Sequence, residues 1–490
     1  MTRPLQPLVI VTILAGVAAL IGSFAAAGWS PGFLLVPIDA VVIAYTPTPV
    51  VNWAILTLGE VGHWLHVLAA AGIGIGILGI GGAGGYVIGT NHERPFLGGI
   101  SCVLWVTGIS FLITGALTPA LVGAISAAIV TLVAILSPRR SPVPSVDLAR
   151  RTVLRLSAGV AAYGGLGVLI GRSRGPYLPE PDDAPIPDRG ALRDAIVTIN
   201  DASFSLPNSP RAVSAIGEFY TVDIASSPPP LAGDDWTLTI DGAVGQPQQL
   251  TYDQLRHAPV TNAYLALRCI GEPLNGNLMD TAVWTGTPLI PLLEAADPSG
   301  EWVVAHGGDG YFETFPRAFL AEALLVYGMN GELLPRAHGY PVRLLMPGTW
   351  GKLNVKWLTR LEITTAPSDG FWGERGWEGT GDVHTVAKLW TIRRLTDGRV
   401  ELGGHAYAGD RGIDRVEVSV NGGETWHTAS LGEPVPGEAV TRMWRYRYRS
   451  DGPHEVVVRA IDGHGTRQSP VESGPFPDGA TGWVHESVDG

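Results

Sequence analysis

Apolar residues crowd into the first third of the chain and then give way to short alternating runs. Stretches near 8–28, 64–88, 97–116, 118–136 and 153–171 are each long and apolar enough to cross a hydrocarbon core of about 30 Å as helices. This pattern predicts an α-helical transmembrane bundle of about five spans over residues 1–172. Between the first two spans, WSPGFLLVPIDAVVIAYTPTPVVNWAILTLGE is also apolar, but Asp39 and three prolines after Pro31 interrupt it. An interfacial or re-entrant segment fits better there than a sixth span.

Basic residues orient the bundle. Arg3, the NHERP that follows the second span and the four arginines of SPRRSPVPSVDLARR belong on the cytoplasmic side by the positive-inside bias. Five crossings then put residue 172 onward outside, in a multi-pass protein of the cell membrane that contacts lipid and carries an extracytoplasmic domain. RRTVLRLSAGVAAYGGLGVLIG also has the form of an embedded twin-arginine signal, although positive charge fixing the last helix accounts for it more simply. His63, His66 and His92 stand at the ends of the second span, and no other span offers a facing histidine for a haem, so they read as interfacial.

Downstream, the pattern changes twice. Residues 173–196, with GPYLPEPDDAPIPDRG, are rich in proline and acids without apolar periodicity and read as a tether. Residues 197–370 mix short strands such as WTLTIDGAV and PVRLLMPG with short helical stretches such as PLIPLLEAA, which predicts an α+β domain. Over 385–475 strand signals dominate, and the alternation in RVEVSV and EVVVRAI predicts an Ig-like β-sandwich. The fold class is therefore multi-domain, with no repeat of solenoid period.

A net charge of -12 argues against nonspecific nucleic-acid binding, which needs an excess of Lys and Arg, and leaves room for a locally basic pocket. With two cysteines in the chain, and Cys102 in an apolar stretch, the sequence argues against a disulfide framework as well. The chain lacks GxGxxG opening a helix, GxxxxGK, HExxH and GxSxG, the minimum parts of several common enzyme classes. One segment concentrates positive charge in an acidic protein: RAHGYPVRLLMPGTWGKLNVKWLTRLEI places Arg343, Lys352, Lys356 and Arg360 among Gly- and Pro-rich loops. Such a segment suits a phosphate or pyranophosphate cradle, with solvated strand ends as the alternative. Cys269, in LRCIGEPLNGNLMD, reads on base rates as a small buried hydrophobe.

Three runs in a fixed order change that last reading. LRCIGEPLNGNLMDTAVWTGTPLIPLL, VYGMNGELLPRAHGYPVRLLMPGTWGKLNVKWLTRLEI and GGHAYAGDRGIDRVEVSVNGGETWHTASL together resemble the sulfite oxidase family of molybdopterin-dependent oxidoreductases. The likeness covers residues 197 to 470, and the spans ahead of it are similar to the layout of membrane-anchored bacterial members. It implies a molybdenum-molybdopterin (Mo-pyranopterin) cofactor whose metal takes the Cys269 thiolate as ligand. It also implies that His338 and Arg343 contact the pterin and its phosphate, and that Asn354, Val355 and Lys356 close over it. By the same resemblance Phe219 and Tyr220 lie against the cofactor, with core packing as the alternative, and Asp309 helps to orient its loop. Tyr311 matches a tyrosine beside the oxo group that assists proton transfer, with an ordinary strand tyrosine as the alternative.

The third run looks like the family's Ig-like dimerisation domain, which implies a homodimer. Two departures bear on substrate: Thr221 and Leu274 stand where sulfite oxidases carry arginines. A dianion needs charge-assisted donors to offset its desolvation, so a sulfoxide or other neutral oxo compound competes with sulfite as the small-molecule substrate. Arg268 and Arg375 are the candidates to compensate. The expectation is a membrane-anchored molybdenum oxidoreductase performing two-electron redox or oxygen-atom transfer, with a haem or quinone protein as electron partner. Its rival is a cofactor-free, membrane-anchored scaffold or binding protein that keeps the fold. A transporter is disfavoured because the spans carry almost no ionisable residues away from their ends.

Overall fold

The computed structural model describes residues 5–58, 63–137, 146–173, 186–225, 227–379, 381–450 and 452–489. The chain divides into two compact units, Met1–Glu180 with Ile224–Pro230 and Pro181–Asp223 with Leu231–Gly490.

The first unit is helical because its sequence offers nothing else to satisfy the backbone. Among the described residues five helices are long and apolar enough to cross a membrane: Leu8–Ala27, Trp64–Asn91, Pro95–Thr114, Leu117–Leu136 and Thr152–Ser173. They match the five expected stretches. Small residues let them approach closely, and a Cβ on Gly85 or Gly98 would run into the other's backbone carbonyl. The segment after the first span forms the short helices Leu35–Tyr45 and Thr48–Trp53, the latter running into a π-helical turn over Ala54–Leu58. Asp39, which argued against a sixth span, is fully buried, and its Oδ1 lies 2.7 Å from His66 Nδ1. His66 is therefore engaged within the helical unit and is not simply an interfacial residue. Arg3, Arg139 and Arg140, which carry much of the orientation, lie outside the described residues, as does the stretch 174–185 of the expected tether. From Arg189 to Ala202 the chain is helical.

Among its described residues the second unit holds four sheets. One has the order Gln248–Thr251, Thr237–Gly242, Leu358–Thr364, Trp302–Gly307, Phe312–Pro316, and its second and third strands run parallel. A second runs Thr261–Arg268, Met279–Pro288, Leu324–Met329, Glu332–Leu333, and Arg343–Leu345 also pairs with Leu324–Met329. Both sheets feed one apolar core that includes Leu238, Trp284, Leu325, Val342 and Leu361. Short helices such as Tyr252–His257, closed by a Thr251–Gln254 capping box, complete the α+β mixture.

The remaining two sheets are all antiparallel. One is built on Arg399–Tyr407 and Arg442–Arg449, the other on Ile413–Ser419 and His454–Asp462. They share a separate core around Leu402, Val416, Trp444 and Val458. The site sits where strand ends meet loops. Thr261–Arg268 pairs antiparallel with Met279–Pro288, Arg268 opposite Met279, so the turn from 269 to 278 projects from a rigid hairpin. Cys269 N–H donates to the Leu278 carbonyl at 3.0 Å and closes the base of that turn.

Candidate functional site

The Cys269 sulfur is half-buried on this turn. Burial pushes its thiol up to about 11, against a lowering contribution from the Gly271 backbone. Such a thiol is protonated at neutral pH, and a coordinated metal ion displaces the proton. Beneath it lies a closed cluster of charge. Glu272 Oε1 accepts from Arg268 Nε at 2.8 Å and from Lys388 Nζ at 2.6 Å, while Oε2 accepts from the Leu278 N–H at 2.9 Å. Arg268 spends its other nitrogens on the His384 carbonyl at 2.9 Å and the Ala480 carbonyl at 3.5 Å. With no exposed surface and every nitrogen engaged, Arg268 does not compensate for a missing substrate-binding arginine. Leu274 packs against the C-terminal core.

The cradle gathers part of the basic segment. Arg343 is buried; Nη1 donates to the His338 carbonyl at 3.2 Å and Nη2 to the Asn354 carbonyl at 3.1 Å. Its Nε has no partner, and among the described residues no carboxylate pairs with the guanidinium. Burial lowers it to about 10. His338 Nε2 lies 3.1 Å from the Ile216 carbonyl and so carries the proton there; burial, with Arg343 next, drives the ring down to about 4. Lys356 Nζ donates to the Ala337 carbonyl at 2.9 Å and pairs closely with Asp223.

Asn354 holds the loop: Oδ1 accepts from Met346 N–H at 2.6 Å, and Nδ2 donates to the Trp350 carbonyl at 2.9 Å. Buried Val355 accepts the Leu344 N–H at 2.9 Å. Lys352 and Arg360 take no part in the cradle, because Arg360 turns to Asp241 at 2.9 Å and Lys352 faces Glu313 at 3.8 Å.

The aromatic residues line up between these two parts. Phe219 stacks on Tyr220 at a centroid distance of 5.5 Å and meets His338 edge-on at 5.7 Å. Tyr220 N–H donates to Asp280 at 3.0 Å, and its phenol is held well above its usual value by burial, with Cys269 the next contributor. Tyr311 donates from its backbone to Asp309 Oδ1 at 3.0 Å, so Asp309 does orient that loop. Its hydroxyl faces the Lys352 carbonyl at 2.9 Å and Glu313 Oε1 at 3.1 Å.

Residues between 370 and 385, left outside both expected domains, supply a further wall. The Phe371 ring lies 5.6 Å from Tyr311, Trp372 packs on Trp377 at 6.1 Å, and a Cβ on Gly271 would touch Trp377 at 3.6 Å and the Cys269 sulfur at 3.8 Å. Proximity of FWGERGW to the cysteine has no local sequence signal. Arg375 donates to the Phe371 carbonyl at 2.7 Å and stacks on that ring, so its charge is shared with the wall.

A buried guanidinium that no carboxylate contacts directly, its nearest acid Asp223 being paired with Lys356, costs on the order of a few kcal/mol unless a ligand supplies the charge. Arg343, with its orphaned Nε, thus fits the phosphate of a pterin. Among the described residues there is no cluster of three or more metal-ligating side chains, so a metal at Cys269 must arrive with donors of its own. Both observations suit a cofactor that carries a phosphate at one end and its own sulfur ligands at the other.

Comparison with known proteins leads the same way. Residues 225–372 match the oxidoreductase molybdopterin-binding domain, and residues 383–468 match the Mo-co oxidoreductase dimerisation domain. Mitochondrial sulfite oxidase of Homo sapiens is 29% identical over 290 residues, 48% of this chain and 53% of that protein. The NADH nitrate reductase of Spinacia oleracea is 28% identical over 305 residues, 47% of this chain and 32% of that one. The chain spans about half the length of the sulfite oxidases it matches. The sulfane dehydrogenase SoxCD from Paracoccus pantotrophus shares the fold with a TM-score of 0.51 and 23% identity, over 58% of this chain and 86% of that one. With a molybdopterin-binding domain followed by its dimerisation partner in one chain, this protein belongs to the sulfite oxidase family of molybdopterin-dependent oxidoreductases.

Proposed function

We propose that the chain is a membrane-anchored molybdenum oxidoreductase that performs two-electron redox or oxygen-atom transfer at a metal held by Cys269. The observation that carries this is Arg343, a buried cation whose Nε has no hydrogen-bond partner, in the same unit as a half-buried thiol. When bound, the cofactor supplies the redox couple and the exchangeable oxygen. The protein does the rest. Arg343 and Lys356 hold the phosphate by charge-assisted bonds, His338 stays neutral beside them, and Phe219 with Tyr220 packs against the ring system. Phe371, Trp372 and Trp377 exclude water next to the sulfur, and Tyr311 moves a proton at its phenolic oxygen.

A neutral oxo compound such as a sulfoxide suits this site better than sulfite. Thr221 carries no charge, Leu274 is engaged elsewhere, and Arg268 is locked to Glu272. Five apolar helices of 20 to 28 residues support a multi-pass anchor in the cell membrane, and the arginine bias supports an extracytoplasmic active site. The two C-terminal sheets form an Ig-like sandwich that pairs two chains, and a haem or quinone protein exchanges electrons with the metal.

Metal analysis of the purified protein tests the core of this reading. About one molybdenum per chain is expected, lost in Cys269→Ser; a protein without molybdenum is a scaffold that kept the fold. A panel of sulfite, sulfoxides and N-oxides tests the substrate. Sulfite turnover at a rate comparable to the neutral compounds overturns the charge argument.

A further inference from the structure

One buried ion pair has no part in holding the cofactor. Glu313, 1% exposed, and Lys352, whose side chain is 5% exposed, face each other at 3.8 Å, beyond a direct hydrogen bond. They come from different elements, the strand Phe312–Pro316 and the turn Gly351–Leu353. A buried pair of this looseness adds little stability that apolar residues would not also provide.

Its surroundings point to another role. Glu313 Oε1 accepts from the Tyr311 hydroxyl at 3.1 Å and from the Trp372 N–H at 3.2 Å. A Cβ on Gly370 would overlap the carboxylate, so a bare backbone presses on Oε2 and holds the group in place. The Tyr311 hydroxyl has one proton for two acceptors, Glu313 Oε1 and the Lys352 carbonyl at 2.9 Å. With that proton committed, the oxygen retains lone pairs with which to accept. Tyr311 is also near enough to Cys269 for charge on the sulfur to act on its phenol. An oxygen that accepts on one side and donates to a carboxylate on the other is the middle member of a proton relay.

We propose that Glu313 is the proton acceptor behind Tyr311, and that Lys352 keeps it ionised until the proton arrives. A water bound at the site gives one proton to the Tyr311 oxygen while the phenolic proton passes to Glu313 Oε1. Hydroxide is left at the site, the phenol is regenerated, and a neutral carboxyl group stands beside Lys352. In the reducing direction the same transfer runs backward. The charged and titratable groups around Glu313 are Lys352 and Tyr311, with Asp309 beyond Tyr311 and Asp478 beyond Lys352. Burial raises the Glu313 carboxyl and Lys352 opposes it, so the group is poised to take up and release a proton. This proposal rests on the molybdenum-site reading above.

The test compares Glu313→Gln, Lys352→Met, Tyr311→Phe and the Tyr311→Phe/Glu313→Gln pair in molybdenum-loaded, full-length protein. Sulfite with ferricyanide and dimethyl sulfoxide with reduced viologen serve as oxidising and reducing probes. In Glu313→Gln, kcat falls about 100-fold with KM nearly unchanged, and one limb of the kcat pH profile vanishes, acidic for sulfite and alkaline for the sulfoxide. The double variant is no slower than Tyr311→Phe, and Lys352→Met shifts the limb to higher pH.

Infrared titration without substrate gives a second readout: a protonated-carboxyl band absent in Glu313→Gln and displaced to higher pH in Lys352→Met. Unchanged kinetics in a loaded Glu313→Gln protein, or additive losses in the double variant, overturn the relay alone. A wild-type protein free of molybdenum overturns the relay together with the reading beneath it. If neither probe is turned over, a carboxyl band that ignores Lys352→Met and Tyr311→Phe overturns the relay.

Discussion

Glu272 and Glu313 are both fully buried, each faces a lysine, and each stands close to the proposed metal site, yet their surroundings differ in one respect. Glu272 is closed. Its two oxygens take three strong donors, while Lys388 Nζ also donates to the Gly276 carbonyl and the other two Arg268 nitrogens donate to the His384 and Ala480 carbonyls. Glu313 is open, with its lysine at 3.8 Å and a phenol as its nearest side-chain donor. A saturated charge cluster is a strut that ties the sulfur turn to Lys388, 116 residues away. An unsaturated one keeps the freedom to change protonation. Donor count and distance separate the two, since both contain a buried Glu and a Lys.

The strongest way to break this contrast is Glu272→Gln, which strands two buried cations. It is expected to lower unfolding stability by about 3–5 kcal/mol in urea denaturation and to cost molybdenum retention. A loss near zero would show that the strut bears no strain.

Next in size is the pH dependence set by His338, whose folded value of about 4 lies below the ordinary 6.5. Between those values the unfolded chain binds a proton that the folded chain refuses. Stability is therefore full above about pH 6.5, falls on acidification toward pH 4 by up to about 3 kcal/mol, and is flat below. His338→Gln should flatten this slope in the cofactor-free protein.

Arg343→Met sharpens the comparison from a third side, because the Arg343 guanidinium bonds only to backbone carbonyls, leaves Nε unpartnered and contacts no carboxylate directly. Replacing it is expected to stabilise the cofactor-free protein by about 1–2 kcal/mol while molybdenum content drops at least about tenfold. Glu313→Gln comes last, at roughly 1 kcal/mol in stability, because its ion pair is loose. An equal loss in Glu272→Gln and Glu313→Gln would erase the distinction between them.

How much of this was readable before the fold was known depends on range. The five long helices were legible because length and apolarity are properties of contiguous residues. The motifs around Cys269, His338, Arg343 and Lys356 single them out as candidates, and the structure brings His338, Arg343 and Lys356 close together. Lys352 and Arg360 looked like members of the same cradle, since sequence spacing does not say which way a side chain leaves its loop or strand. Arg268 looked available for substrate until its partners were known. Lys388 and Trp377 carried no local sign of reaching the sulfur turn, and Asp39 gave none of a bond to His66.

Taken alone, the order of residues determined where helices and strands form, which loops carry cysteine and arginine, and which family the chain resembles, because these follow from short-range periodicity and contiguous motifs. Only the tertiary structure decided which buried charges are saturated, which is loose and which keeps an unpartnered nitrogen. Those states depend on distances between segments far apart in the chain and on how much water is excluded around them, and neither quantity is encoded in any single stretch.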